Sequence, residues 1–322
     1  MQQARAHVLS LGSVNADFQV RVPRRPEVSE TLLGRELVRL SGGKAANVAF
    51  ICRKLGLDAA LFGHVGDDEL ARQALGPLRA AGIDVSGVSA VSAVHTGVAM
   101  IMVPPDGHKG IVLASGANDR WEPEDDGRIA MALRRAPRGS VLVADCEVPV
   151  DAVRRAMQVA REAGIGVVLD PSPAGRVTPV LLGLCDVVVP NAGEARHLTG
   201  VDCRDPPSAL QAARRLRELG AAVACVKLPD GGSVLAGSHQ SVHVSSVPVH
   251  VVDTTGAGDA FAGAMAVAVA ERFSWPDAAR FATAAAQLAV TKYGSQPSYA
   301  ERRDIDALAR MLPVNVDSDA AS

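Results

Sequence analysis

Short runs rich in β-branched residues alternate along this chain with longer segments of helical pattern. The predicted strands lie at 6–11, 58–62, 140–144, 166–169, 187–189 and 223–226. The predicted helices lie at 45–55, 68–81, 150–162, 192–198, 207–219, 257–271 and 275–291, and several end at a glycine, a frequent helix stop. This alternation predicts an α/β fold in which helices cover both faces of a mostly parallel central sheet.

Two regions interrupt the alternation. Residues 13–40 carry strand-like runs on either side of a proline-rich link, and residues 94–114 carry two such runs around a Pro-Pro-Asp-Gly turn. The second region is typical of a β-hairpin. We expect both regions to form a small antiparallel sheet that serves the α/β body as a lid or a dimer surface. We assign 1–313 to the α/β domain and predict a disordered tail over 314–322.

Composition excludes several classes of function. The net charge of −2 gives no field that would attract nucleic acid or a membrane surface, and aromatic residues make up only 3% of the 322 residues. The five cysteines are scattered without CxxC spacing, which is typical of reduced thiols rather than a disulfide framework or a metal site. With no signal pattern and no membrane-length apolar run, we expect a cytoplasmic protein.

The strongest chemical motif is the segment 253–259 (DTTGAGD), which follows an apolar run and opens an alanine-rich helix. Gly256 and Gly258 permit a tight backbone and close approach of a ligand. A helix N-terminus offers unpaired N–H groups and a partial positive charge, which suit phosphate. Because Asp259 lies beside that cradle, the segment combines an anion site with a base and indicates phosphoryl transfer.

A second glycine turn, the segment 41–49 (SGGKAANVA), also enters a helix. Lys44 and Asn47 lie on its first turn, where they are able to hold hydroxyl groups or a phosphate; the alternative is an ordinary loop with a solvated lysine. The segment lacks the GxxxxGK[ST] spacing of a Walker A loop. Because no complete GxGxxG motif lies between a strand and a helix, dinucleotide binding is disfavoured.

Two further polar pairs follow predicted strands. Asn15 and Asp17 are two residues apart, so in an extended chain their side chains face the same way. Together they are able to bind vicinal hydroxyl groups of a sugar. The alternative is a polar turn. Asn191 and Glu194 have the spacing of a helix cap with its capping-box partner, which the local sequence favours over a role with hydrated magnesium and phosphate.

These segments, in this order, resemble the ribokinase-like (phosphofructokinase-B type) family of carbohydrate kinases over about residues 7–312. The segments 42–47 (GGKAAN) and 253–259 are similar to the two signatures of that family. Within it, the segments 11–17, 96–99, 115–118, 147–149, 171–174, 190–194 and 294–298 are most similar to the ribose kinases. The resemblance implies a ribokinase-like three-layer α/β/α fold with a small lid sheet, often paired as a homodimer.

The resemblance also implies roles for individual residues. It implies that Asp259 is the base that deprotonates the primary hydroxyl of the sugar, and that backbone amides of Gly256, Ala257 and Gly258 form the anion hole. The implied sugar ligands are Asn15, Asp17, Gly43, Lys44, Asn47 and Glu147. The implied nucleotide site contains Asn191, Thr283 and the turn from Lys227 to Gly232, with Glu194 ordering Mg²⁺. The implied K⁺ site contains Asp253, Thr255, Ala289, Lys292, Gly294 and Ser298, largely through backbone oxygens.

The chain departs from the ribose-kinase pattern at Ala45, Val48 and Pro229, where Gly, Gln and Gly are usual; Lys227 also replaces a common Thr. Pro229 removes a backbone donor from the nucleotide turn. The expected activity is ATP-dependent phosphorylation of D-ribose to D-ribose 5-phosphate, with Mg²⁺ and K⁺. The alternatives are another pentose, a ketohexose, a deoxy-sugar acid or a nucleoside, or a non-catalytic sugar-binding protein on the same fold.

Overall fold

A computed structural model of the chain describes residues 7–318. Within that range the strands are β1 (His7–Leu11), β2 (Asn15–Arg21), β3 (Arg35–Gly42), β4 (Asp58–Gly66), β5 (Asp84–Val91), β6 (Gly97–Val103), β7 (Gly110–Ala114), β8 (Val141–Ala144), β9 (Gly166–Leu169), β10 (Val187–Val188), β11 (Val223–Lys227), β12 (Ser233–Ala236), β13 (Gln240–Val244) and β14 (Val314–Ser318).

The helices in the same range are α1 (Lys44–Lys54), α2 (Glu69–Ala80), α3 (Pro123–Arg135), α4 (Val150–Glu162), α5 (Pro179–Leu182), α6 (Ala192–Thr199), α7 (Pro206–Glu218), α8 (Ala257–Ala270), α9 (Trp275–Ala289) and α10 (Arg302–Met311). Short 3₁₀ helices include Gly116–Asp119 and Gln296–Ser298. No helix of the described chain has the length and apolarity needed to cross a bilayer.

Ten strands form the central sheet in the order β14-β13-β12-β11-β10-β9-β8-β1-β4-β5. The pairings from β11 to β5 are parallel, whereas β12, β13 and β14 extend one edge as antiparallel strands. The predicted mostly parallel α/β sheet is therefore confirmed. Parallel strands bring their carboxyl-terminal ends to one edge of the sheet, and α/β proteins bind their ligands at this edge.

The central sheet is buried on both faces, which explains its β-branched strands. Val8 lies in the core beneath α1, α8 and α9, whereas its neighbour Leu9 lies in the core beneath α3, α4 and α7. Val141 and Leu142 divide between the two cores in the same way. Because successive strand residues point to opposite faces, one apolar run supplies both cores, and the result is a three-layer sandwich.

A separate four-stranded sheet, here called the small sheet, has the order β3-β2-β6-β7. The predicted hairpin is present as β6 and β7, which pair antiparallel. The small sheet is not wholly antiparallel as we expected, because β2 and β6 pair in parallel. A hairpin turn cannot join parallel strands. Between β2 and β6 the polypeptide forms β3 and then α1, β4, α2 and β5.

The predicted disordered tail is wrong over residues 314–318. These residues form β14, which pairs along its whole length with β13 and completes the antiparallel edge of the central sheet. Its composition is polar because it is an edge strand, with most of its side chains exposed. Residues 1–6, which include the first residue of the predicted opening strand, and residues 319–322 of the predicted tail lie outside the described chain.

Candidate active site

A cavity of about 780 Å³ lies at the carboxyl-terminal ends of the parallel strands, with residues of the small sheet on its other side. Its volume is in the usual range for a small-molecule site. Most of the residues singled out in the sequence line it. These are Asn15, Asp17, Gly43, Lys44, Asn47, Glu147, Asn191, Glu194, Lys227, Gly232, Thr255, Gly256, Ala257, Gly258 and Asp259.

Asp259 lies in the first turn of α8, whose N-cap is Gly256. Gly256 has a left-handed backbone with φ of 76°, a region that disfavours residues with a Cβ. A Cβ at this position would lie 2.7 Å from Cβ of Ser295 and 2.8 Å from the Tyr299 hydroxyl oxygen. Only glycine fits both the backbone and the space here, and the turn aims the N–H groups of α8 at the cavity.

The carboxylate of Asp259 is held by two residues of α1. Asn47 donates from Nδ2 to Oδ2 of Asp259 at 2.7 Å, and Nζ of Lys44 lies 3.5 Å from Oδ1. Lys44 also pairs with Asp170 at 3.1 Å. Burial by itself lowers the pKa of Lys44, but the carboxylates of Asp170, Asp259 and Glu147 outweigh it and raise that pKa well above its ordinary value. Lys44 therefore stays a cation.

One side of the cavity is acidic and buried. Burial, reinforced by the nearby Asp259 and Glu147, raises the pKa of Asp17 to about 8. Oδ1 of Asp17 has no hydrogen-bond partner within the described chain. Glu147 accepts from the Ser13 hydroxyl at 2.6 Å, and burial raises its pKa also. A buried polar atom without a partner is costly, so this side of the cavity is suited to a ligand rich in hydroxyl groups.

Asn191 and Glu194 form the capping box that the local sequence favoured. Oδ1 of Asn191 accepts from the Glu194 amide at 2.9 Å, and Oε2 of Glu194 accepts from the Asn191 amide at 2.8 Å. Both residues also line the cavity, so the cap places them at its rim. Only one oxygen of the Glu194 carboxylate is used by the cap, which leaves lone pairs suited to a water-coordinated Mg²⁺.

The nucleotide turn that departs from the family pattern is a tight turn. The Gly231 amide donates to the Leu228 carbonyl at 3.1 Å, which places Pro229 at the second position of the turn. Proline is favoured there, because its fixed φ suits that position. Apolar residues continue the wall from this turn. They are Leu228, Val247, Val249, Val251, Ala286 and Val290.

The residues proposed for a cation lie behind the α8 turn, and only Thr255 reaches the cavity wall. Asp253 is fully buried, and its carboxylate accepts four hydrogen bonds, from the Thr255 amide and hydroxyl, the Gly294 amide and the Gln19 side chain. With its lone pairs taken, the carboxylate has little capacity for an ion. A K⁺ ion held by this loop would therefore need backbone oxygens as ligands, and the resemblance implied a site formed largely by such oxygens.

Some predicted residues stand away from the cavity. Those that do not line it are Asp253, Thr283, Ala289, Lys292, Gly294 and Ser298. Thr283 is 1% exposed and its hydroxyl bonds that of Ser233 at 2.8 Å, so it packs behind the nucleotide turn. Across residues 7–318 there is no group of three His, Cys, Asp or Glu side chains arranged to hold a metal ion.

Sequence reasoning missed several residues that contact and support the residues of the site. Asp145 and Asp170 each follow a predicted strand directly, and this signal could have identified them. Asp145 accepts from the Ser13 amide at 3.1 Å, while Asp170 binds Lys44. Asn118 donates to Oδ1 of Asn15 at 2.8 Å. Gln296 donates to Asn47, and nothing in its local sequence indicates that contact.

A family model described as pfkB family carbohydrate kinase matches residues 5–302, so the chain belongs to this family and is a kinase of the ATP-using transferase class. The predicted family and fold are confirmed. The chain is 34% identical over 299 residues to the ribokinase of Haemophilus influenzae, covering 91% of this chain and 95% of that protein.

Two further relatives bear on the substrate. The deoxyribokinase of Salmonella typhi is 32% identical over 290 residues, which cover 90% of this chain and 94% of that protein. The solved structure of Arabidopsis thaliana ribokinase complexed with ribose and ATP superposes with a TM-score of 0.82 at 31% identity, covering 95% of this chain and 99% of that one.

Proposed function

We propose that this protein transfers the γ-phosphoryl group of ATP to the primary hydroxyl of D-ribose, giving D-ribose 5-phosphate. The observation that carries the proposal is the position of Asp259, between the N-terminal amides of α8 and the cation of Lys44, in a cavity with a polar end and an apolar end. The similarity to ribokinases over nine-tenths of the chain supports ribose as the acceptor.

In this mechanism Asp259 accepts the proton of the sugar hydroxyl as that oxygen attacks the γ-phosphorus of ATP. The bond from this phosphorus to the β,γ-bridging oxygen breaks, and ADP leaves. The amides of Gly256, Ala257 and Gly258 stabilise the charge on the transferring phosphoryl group, as the α8 dipole also does. Phosphoryl transfer depends mainly on positioning and charge neutralisation, which these fixed groups supply. Mg²⁺ ordered through water by Glu194 would add charge neutralisation at the phosphates.

The acidic side of the cavity is the proposed sugar site. Asn15, Asp17, Lys44, Asn47 and Glu147 all present polar atoms there. The raised pKa of Asp17 keeps its carboxyl protonated at neutral pH in the free protein, so it is able to donate to one sugar hydroxyl and accept from another. A free sugar satisfies such a set better than a nucleoside, whose base needs an aromatic or apolar shelf.

The apolar end, with the turn from Lys227 to Gly232 and Asn191, is the proposed nucleotide site. Thr283 acts there only by supporting the turn through Ser233, because it does not reach the cavity. K⁺ is proposed behind the α8 turn, where its charge would favour the anion-binding backbone. Comparison of rates in K⁺ and in Na⁺ tests this, and equal rates would remove K⁺ from the proposal.

The small sheet is the proposed lid and the proposed contact surface of a homodimer. Ile101 and Ile111 face the cavity, whereas Met100 and Val112 pair on the opposite face and are each 61% exposed. A closed lid would exclude water and limit hydrolysis of ATP. Light scattering on wild type and on Met100→Glu tests the dimer. A monomeric wild type would contradict it. A cytoplasmic location stays a prediction, which the five buried free cysteines favour.

The experiment that tests the function is release of ADP, measured with a panel of D-ribose, 2-deoxy-D-ribose, D-fructose, a deoxy-sugar acid and adenosine. We expect D-ribose to give the highest kcat/KM. The deoxyribokinase relative makes 2-deoxy-D-ribose the sharpest comparison. A strong preference for another acceptor would overturn only the assignment of ribose as the substrate. No turnover with any of these compounds would overturn the proposed sugar kinase activity.

A further inference from the structure

A chain of side-chain hydrogen bonds runs from the backbone of α2 to Asp259. The Ser41 hydroxyl donates to the Ala74 carbonyl at 2.6 Å. Nε2 of Gln296 donates to Oγ of Ser41 at 3.0 Å and to Oδ1 of Asn47 at 3.1 Å. Nδ2 of Asn47 then donates to Oδ2 of Asp259 at 2.7 Å. The chain thus connects four separate parts of the fold to one carboxylate oxygen.

The donor and acceptor roles in this series of hydrogen bonds are fixed at the end farthest from Asp259, where Ser41 bonds to Ala74. A backbone carbonyl only accepts, so the single hydroxyl hydrogen of Ser41 is committed to Ala74. Oγ of Ser41 must then accept, which turns the NH₂ group of Gln296 towards it. The same NH₂ group faces Oδ1 of Asn47, and the Asn47 amide is therefore fixed with its own NH₂ group towards Asp259.

The hydrogen-bonded side chains are largely shielded from solvent, although Asn47 and Asp259 also line the cavity. Ser41, Asn47 and Gln296 are each 4% exposed, and Asp259 is 7% exposed. Reversing the Asn47 amide would place its oxygen against the Asp259 carboxylate and leave two buried NH₂ groups face to face. Each such mismatch costs free energy in a buried site, so a single orientation of these hydrogen bonds dominates.

We propose that Ser41 and Gln296 are positioning residues that keep an N–H donor on Oδ2 of Asp259 and so assign the proton-accepting role to Oδ1, beside Lys44. This inference rests on the proposed function, because it gives each oxygen of the proposed base a separate task. A donor on Oδ2 stabilises the ionised carboxylate, which is the form able to accept a proton from the sugar.

The surroundings of Asp259 are mixed in charge. The charged or titratable groups that face it from the neighbouring elements include Lys44, Asp17, Lys109, Glu147 and Tyr299. Lys227 also lies close, with its Nζ beside Gly258. None of them belongs to the hydrogen-bond chain. Substitutions at Ser41 and Gln296 therefore change the donor on Oδ2 while every charge around Asp259 stays the same.

The test is the pH dependence of kcat/KM for the sugar, which reports ionisation in the free enzyme. Gln296→Met keeps the length of the side chain and its neutral charge but removes the donors. We expect the acid limb of the profile to move upward, because the Asn47 amide loses the partner that orients its donor towards Asp259. The upper limit of the movement is about one pH unit, the size of a hydrogen bond to a charged group. Ser41→Ala should move the limb in the same direction, because the Gln296 amide is then free to turn.

Ser41→Thr is the matched control, since it keeps the hydroxyl and should leave the limb at its wild-type position. Adding Gln296→Met to Asn47→Ala should cause no further movement, because the donor on Oδ2 is already absent. An unmoved limb in Gln296→Met, or equal limbs in Ser41→Ala and Ser41→Thr, overturns the proposal. A wild type without turnover on any sugar would instead overturn the proposed function, so the two failures are distinguishable.

Discussion

Nζ of Lys44 lies 3.1 Å from a carboxylate oxygen of Asp170, closer than its 3.5 Å approach to Asp259. Asp170 is 2% exposed, and its second oxygen has no partner in the described chain. The lysine is thus anchored on a buried carboxylate behind the cavity wall. Because Asp170 holds Nζ at this position, the longer distance to Asp259 makes the attraction between Lys44 and Asp259 weaker than that between Lys44 and Asp170.

Asp170→Asn is expected to lower kcat/KM for the sugar about tenfold, because Lys44 loses the partner that fixes its position. In a Lys44→Met background the same substitution should change nothing further. The four kcat/KM values then give a coupling free energy of about 1.4 kcal/mol, the equivalent of tenfold, which lies within the range of about 0.5–3 kcal/mol usual for residues in contact. Additive effects of the two substitutions would show that Asp170 does not act through Lys44.

Asp259→Asn is expected to reduce kcat by about 10²–10⁴-fold, the usual contribution of a general base, while the sugar and ATP still bind. Single-turnover kinetics and calorimetric titration measure the two properties separately. Asp277→Asn, on the first turn of α9 and outside the cavity, is the matched control. Near-normal turnover of Asp259→Asn would remove this residue from the base role.

Asp17 makes the stability of the fold depend on pH. Its pKa rises from 3.8 to about 8 on folding, so between those values the folded state binds more protons than the unfolded state. Its contribution is therefore complete below pH 3.8 and is lost as the pH rises towards 8.

Asp17→Asn removes that loss. From pH 5 to pH 7, the difference in free energy of unfolding between the variant and wild type should rise in favour of the variant. The expected rise is about 1.4 kcal/mol per pH unit, the value for one proton. Urea titrations at each pH measure the difference, and the other buried carboxyls cancel because both proteins contain them. Parallel pH dependences would show that Asp17 is ionised throughout.

Gly256→Ala should disrupt both the turn and the anion hole. A left-handed alanine costs about 1–2 kcal/mol, and its Cβ would lie 2.7 Å from Ser295. Displaced amides should lower kcat about 10²–10³-fold, as the loss of one oxyanion donor does.

Gly127→Ala is the control, because Gly127 lies in the interior of α3 and, apart from its chain neighbours and the backbone of its own helix, no heavy atom lies within 4 Å of the added Cβ. It should leave kcat unchanged and raise the free energy of unfolding by about 0.5–1 kcal/mol. Kinetics and urea titration of both variants check the pair. Wild-type kcat in Gly256→Ala would show that the turn tolerates a side chain.

Local features of this protein were predictable from its sequence. The helix from Ala257 and the hairpin of β6 and β7 depend on residues close together in the chain, and each was placed within a few residues. Elements with weaker local signals were missed. The strand β5, the helix α3 and the edge strand β14 carry polar or small residues, because only part of each is buried.

The sequence by itself determined the α/β class, the two glycine turns and the base Asp259 as a candidate, because periodicity and backbone freedom are written in neighbouring residues. Only the tertiary structure decided which side chains meet. Asn47 and Asp259 are 212 residues apart, and Lys44 and Asp170 are 126 apart. Their contact depends on the strand order of the central sheet, which brings distant strand ends to one edge and is absent from any local pattern.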